Sequence, residues 1–221
     1  MVRHGRDQLG EALALARQLR SDIDGIEGLH VVRDELLGAE ASHDLDELQL
    51  LLDVTGLGIS GYQAADWLRA HPRIDSGLSD HRRIGIQLSL ADDKETGARL
   101  LDALTALSQA APGLPPPPLV ALPALAELEL ETVMLPRDAF FGPTEDVPLE
   151  QAAGRIAAEQ ITPYPPGIPA VVPGERLEDA VLDYLRTGQA AGMVLPDPAD
   201  PDLTTVRVVT REAHKRERQQ D

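Results

Sequence analysis

The sequence predicts an α/β (α+β) protein built from two small α/β subdomains. Apolar residues alternate between helical and strand periodicity over residues 1–110. Five prolines then fall within seven positions at 112–118 and interrupt that pattern, after which strand and helix signals begin again. The expected boundaries are 1–111 for the first subdomain, 112–124 for a proline-rich connector, 125–210 for the second subdomain and 211–221 for a polar tail.

Within the first subdomain, Leu9, Leu13, Ala16 and Leu19 recur at helical spacing and predict an amphipathic helix over about 5–24, ended by Gly25 and Gly28. A short strand follows at 29–32. Residues 44–54 end in a near-continuous apolar run, which reads as a strand buried on both faces. Ser60 is a good N-cap for a helix over 62–71, which Pro72 stops. Alternation over 84–90 predicts another strand. Asp92 or Asp93 then caps a helix running to about 110, with Leu100, Leu101, Leu104 and Leu107 along one side.

Beyond the connector the reading is a strand or helix through 125–134, a short helix near 137–141 and a helix over 149–158. A strand at 160–162, a helix over 177–185 and strands at 191–195 and 204–209 complete it. Aromatic content is 3% with a single Trp, so the core must be made of Leu, Val, Ile and Ala.

Composition excludes several function classes. With no cysteine, the chain has no disulfide framework, cysteine nucleophile or thiolate metal site. The formal net charge of −17 makes nucleic acid a poor partner. No stretch approaches the ~18–20 apolar residues that span a bilayer, and the first residues are no signal peptide, so no membrane contact and a cytoplasmic location are expected.

No two of the six histidines share the i, i+4 spacing of a helical metal site, and no phosphate loop, dinucleotide fingerprint or nucleophile elbow is present. Accordingly, no catalytic, cofactor-binding or metal-ligating residue is assigned. Asp80-His81-Arg82-Arg83 concentrates titratable groups just before a strand, where a polar turn is an equally good reading. The lysines are Lys94, at a helix start, and Lys215, in a tail too polar to desolvate an amine.

The most unusual stretch is TPYPPGIPAVVPGE, residues 162–175, with five prolines and two glycines. Proline fixes φ and drives its predecessor to extended backbone, so the segment is stiff. Gly167 and Gly174 are the expected turns, and Ala170-Val171-Val172 a short strand between them. Such a loop either connects elements at the surface or holds Tyr164 and Glu175 in fixed places.

Arg137-Asp-Ala-Phe-Phe, Thr144-Glu-Asp-Val-Pro-Leu, Ala153-Gly-Arg-Ile-Ala-Ala-Glu159 and Tyr164-Pro-Pro-Gly-Ile-Pro…Pro-Gly-Glu175 occur in this order. Together they resemble the C-terminal part of the bacterial ornithine/lysine/arginine decarboxylases, pyridoxal-phosphate enzymes of the aspartate-aminotransferase fold type. The stretches LLLDVTGLGISGYQAADWLR and LSDHRR…SLADD are similar to the family's small subdomain. The resemblance covers about residues 5–210 and implies that the N-terminal cofactor domain, with its S-x-H-K lysine, is not part of this chain.

The resemblance further implies that this part closes the active site and contacts the cationic end of a basic amino acid or diamine. Glu175 is the first choice for that contact, with Tyr164, Pro166 and Gly167 shaping the wall, and Glu145 and Asp80 as weaker contacts. It implies pyridoxal phosphate in the full-length parent and none on this chain alone, a cofactor-domain half as partner, and a homo-oligomer. Two readings stay open beside it: Glu175 as a structural carboxylate at the start of a helix over 176–185, and the chain as a stand-alone module that binds polyamines or a partner chain.

Overall fold

The structure is a computed structural model that describes residues 4–38, 42–164 and 166–212. It divides after Pro117 into two compact units. In the first, helix α1 (Gly5–Asp24) leads to strand β1 (His30–Val32), β2 (Gln49–Asp53), helix α2 (Gly61–Ala70), strands β3 (Leu78–Ser79) and β4 (Arg83–Gln87), and helix α3 (Lys94–Ala110). The sheet runs β1-β2-β4-β3 and is antiparallel throughout, with Leu51 opposite Gly85 and Val31 opposite Leu52.

Its core is the aliphatic one the composition demands. Leu19 and Ile23 of α1, Leu68 of α2 and Leu104 and Leu107 of α3 pack with Val31, Leu50, Leu52 and Ile84 of the sheet. In β2 only Leu50 and Leu52 are buried, while Gln49 is exposed and Leu51 and Asp53 lie between. The expectation of a strand buried on both faces is therefore corrected. Antiparallel pairing gives the strand one packed face, and Leu51 points off it.

Both cap expectations hold in detail. The Ser60 hydroxyl accepts from Gln63 N–H, and the Gln63 side chain accepts from Ser60 N–H, closing a capping box. Asp93, not Asp92, caps α3 by accepting from Glu95 and Thr96 N–H. Asp92 instead accepts from the Ser89 hydroxyl and amide.

The second unit contains helix α4 (Pro136–Phe141), strand β5 (Thr144–Pro148), helix α5 (Asp179–Ala190) and strand β6 (Thr205–Val209). β5 and β6 pair antiparallel, Asp146 opposite Arg207. The sheet then continues through segments too short to be strands. Ala157 bridges Val208 on the free side of β6, Ile156 bridges Arg176, and Glu175 bridges Thr132. Five rows thus lie side by side: β5, β6, 156–158, 174–177 and 131–134.

Three sequence expectations change here. Residues 149–158 are not a helix: a single 3-10 turn at Leu149–Gln151 gives way at Gly154, φ +73°, to the extended row. Leu149, Ala152 and Ile156 have helical spacing, but the row's bonds to β6 and to 174–177 win. The stretch 125–134 is neither strand nor helix beyond a 3-10 turn at Leu125–Glu127. At 191–195 only Val194 pairs, in an isolated bridge to Tyr164, and α5 begins two residues later than expected and runs five further. Among the described residues no helix is long and apolar enough to cross a membrane.

Candidate functional site

The proline-rich loop leaves the core at Ile161 and returns at Val171. These two residues are fully buried and bridged, Ile161 N–H to Val171 O at 3.0 Å, so the loop is pinched at its base. Outside the pinch, Gly167 N–H donates to Pro163 O at 3.0 Å and Tyr164 N–H to Val194 O at 2.9 Å. Gly167 sits at φ +89°, and a Cβ there would meet the Tyr164 ring at 3.5 Å. The glycine lets the turn close under the ring, which remains 55% exposed at the loop's tip beside exposed Pro166 and Ile168. Pro165 falls outside the described residues.

After Val171 the chain turns again to enter the five-row layer. Gly174, at φ +93°, lies so close to the 131–134 row that a Cβ would stand 2.3 Å from Met134 O. Its N–H donates to Ala157 O at 2.8 Å and its carbonyl accepts from Val133 N–H at 2.9 Å. Half-buried Glu175 follows, and its Oε2 accepts from Val172 N–H at 2.9 Å. The carboxylate thus braces its own turn and does not cap α5, whose N-cap is Glu178. Among the described residues Oε1 accepts no hydrogen bond, so one oxygen of the group is open to a further donor.

The other sequence candidates are already engaged. Glu145, on β5, is paired with Arg155 at 2.5 Å, and the same guanidinium donates to Val209 O at 3.0 Å. Asp80 belongs to the first unit, in the turn between β3 and β4. Its Oδ1 accepts from both Arg82 and Arg83 N–H at 2.6 Å, and its carbonyl accepts from Tyr62 N–H. Of the two readings of the Asp80–Arg83 cluster, this geometry is that of a polar turn. Its neighbour His81 has its pKa lowered by burial.

Sequence reasoning missed the most enclosed carboxylate. Glu159 is 5% exposed and reaches two distant segments at once, accepting from Arg207 N–H through Oε1 and from Ala199 N–H through Oε2, both at 2.7 Å. Alongside it, Asp197 is bonded by Thr162 and Gln160, whose hydrogen bonds lower its pKa. Asp200 is held lower still, to about 2, by the Thr204 hydroxyl and the Thr205 amide. Glu159 and Asp197 tie the segment that enters the proline loop to residues 197–207, and Asp200 braces the start of β6.

Clefts of about 350, 440 and 720 Å³ open among the described residues, and none of these takes a wall from Glu175, Tyr164, Gly167, Glu145 or Asp80. No three His, Asp or Glu side chains among the described residues gather as a metal site. Of the two lysines, Lys94 is exposed in the first turn of α3, next to Asp93, where its amine is solvated. Lys215 lies outside the described residues.

Comparison with known proteins places this geometry in context. Residues 122–202 match the family model for the Orn/Lys/Arg decarboxylase C-terminal domain. An arginine decarboxylase of Halalkalibacterium halodurans is 39% identical over 212 residues, which is 95% of this chain and 42% of the relative. One of Bacillus subtilis is 35% identical over 209 residues, with the same shares. The chain therefore spans less than half the length of these relatives. Among solved structures, Escherichia coli constitutive lysine decarboxylase superposes with a TM-score of 0.67 at 19% identity, over 93% of this chain and 41% of that one, a likeness of fold. The resemblance drawn from the motifs holds, and with it the mixed helix-and-strand fold class.

Proposed function

We propose that this chain is the C-terminal part of a pyridoxal-phosphate-dependent decarboxylase of basic amino acids, arginine first among them, and that it is inactive without the remainder. The supporting observation is the near-complete alignment with arginine decarboxylases at 39% and 35% identity, each more than twice this chain's length. The cofactor, which supplies the electron sink for loss of the carboxylate, belongs to the part outside this chain, since this sequence carries no S-x-H-K motif. No step of the chemistry is assigned to the residues described.

The role of this part is recognition. The pinched loop presents Tyr164 and the Gly167 backbone as a rigid wall, and the unpartnered oxygen of Glu175 meets the guanidinium or ammonium of the substrate. A charge-assisted pair of this kind gains from a partner that is already ordered, because little entropy is lost on binding. Glu145 and Asp80, engaged elsewhere, are the weaker contacts. The remaining partners are the cofactor-bearing half and further copies of the whole enzyme.

The test is release of CO2 from arginine, lysine and ornithine in the presence of pyridoxal phosphate. The isolated chain is expected to give no turnover above a heat-killed control. The chain produced with its cofactor half, joined or in trans, is expected to be active, with Glu175→Gln raising KM for the substrate ~10-fold or more and altering kcat less. Turnover by the isolated chain defeats the reading. Calorimetry with agmatine, putrescine and cadaverine separates it from a stand-alone polyamine-binding module, for which saturable binding by the isolated chain must vanish in Glu175→Ala.

A further inference from the structure

Residues 118–212 hold six arginines and no lysine against sixteen carboxylate side chains, so every guanidinium of the second unit has acids to choose from. Three of the six nevertheless line one cleft of about 350 Å³, and no carboxylate lines it with them. Arg155 stands just before the 156–158 row, Arg176 lies in the 174–177 row and Arg211 follows β6, with Gly154, Ile156 and Val209 between them. The bridge of Ile156 to Arg176 and the bond from Val209 N–H to Ile156 O bring these three distant segments together.

Two of the forks are held in place and still have donors to spare. Arg155, its side chain 13% exposed, uses Nη2 alone, toward Glu145 and Val209 O. Arg176 uses Nε toward Glu131 and Nη1 toward Gly154 O, at 2.7 and 3.3 Å. Arg211 is exposed and has no hydrogen bond or ion pair among the described residues. Glu131 and Glu145 therefore fix two guanidinia and offset two of the three charges, leaving a positive charge and unused N–H groups on all three. A carboxylate, with two oxygens, is matched by a single fork, whereas a phosphoryl group carries more oxygens and a second negative charge, and so can serve forks that converge from three segments. We propose that this cleft binds a phosphate dianion, either free or as the phosphoryl end of a small molecule. The site does not depend on the decarboxylase reading.

The test is an NMR titration of the whole chain, labelled with 15N, with sodium phosphate at about pH 8 and with ionic strength held constant by sodium chloride. The backbone amides of Gly154, Arg155 and Arg176 and the arginine Nε–H signals are expected to shift and saturate, with Kd on the order of 0.1–1 mM. Arg211→Ala removes a side chain that has no partner to lose, so the fold is kept, and binding is expected to weaken at least ~5-fold. Arg186→Ala, on α5 and outside the cleft, is expected to bind as the wild type does. Methyl phosphate bound as tightly as inorganic phosphate identifies the phosphoryl end of a larger molecule as the ligand, and binding of inorganic phosphate alone identifies the free ion. Shifts that chloride alone reproduces, no saturation up to about 20 mM phosphate, or equal weakening by Arg186→Ala and Arg211→Ala each overturns the proposal.

Discussion

The two units keep their shape by different means. In the first, three helices press aliphatic side chains onto an antiparallel sheet, and Leu19, Ile23, Leu68, Leu104 and Leu107 are all but fully buried. In the second, two regular strands are extended by three rows of three or four residues, held by backbone bonds, by glycines at positive φ and by carboxylates that accept from distant amides. The first rests on volume; the second, which also buries Ile161, Leu177, Leu185 and Val208, depends on position as well. A core of volume tolerates a change of shape and suffers from a loss of bulk. A lattice of positions behaves in the opposite way, and a loop that must present a residue in one place is better built on the second kind.

The largest effect tests the first half of that contrast. Leu104→Ala empties a fully buried site among α1, α3 and the sheet, and is expected to cost about 3 kcal/mol. Trp67, the sole tryptophan, belongs to the first unit, so its fluorescence during urea unfolding isolates this loss. An unchanged midpoint means that the helices are not what holds the sheet.

Gly174→Ala tests the other half by adding a single methyl. The residue's φ of +93° disfavours any side chain, and the new atom would stand 2.3 Å from a backbone oxygen that cannot rotate away. A loss of about 2 kcal/mol or more is expected, read as faster hydrogen exchange at Val133 and Gly174 with Trp67 fluorescence unmoved. The control is Gly97→Ala in the first unit. There the added atom meets only the end of the Leu15 side chain, at 2.9 Å, and the helical gain of about 1 kcal/mol offsets the crowding. Equal losses at the two glycines erase the distinction.

The same contrast explains what could be read from the sequence. Ser60, and a cap at Asp92 or Asp93, were legible because capping is settled within four residues, and the helices of the first unit because their periodicity is local. β5 passed unnoticed: Thr-Glu-Asp-Val-Pro has two charges and a proline, and only its ladder to β6, some sixty residues on, makes it a strand. The apparent helix over 149–158 failed for the same reason. In the proline loop the turns at Gly167 and Gly174 were legible, since glycine acts on its own backbone. The burial of Glu159 against residues 40 and 48 positions away depends on the folded layer and left no trace in spacing.

Glu159→Gln sharpens this long-range part. The amide keeps one acceptor oxygen but turns an NH2 group toward the second donor, so either Arg207 or Ala199 N–H loses its partner in a buried site. A cost of about 1–3 kcal/mol is expected. Exchange should quicken at the amide that loses its bond, with the fluorescence transition of the first unit unaltered. If both amides stay as protected as in the wild type, the carboxylate is a passenger and the loop's entry strand is held by β6 alone.

The smallest effect concerns acid. Asp200 is held at about 2, below the ordinary 3.8, chiefly by the Thr204 hydroxyl and then by the Thr205 amide. A carboxylate depressed in the folded state stabilises it fully above its unfolded pKa, and the contribution fades as pH falls from about 4 to about 2. Asp200→Asn keeps an acceptor oxygen without the charge, so the variant is expected to be the less stable at pH 7. Its deficit should shrink through that interval, because the wild type is itself being neutralised. The readout is the difference in exchange rate at Thr205 between wild type and variant, followed against pH. A difference that stays constant from pH 7 to pH 2 means that the charge of Asp200 contributes nothing to this corner, which is then held by neutral bonds alone.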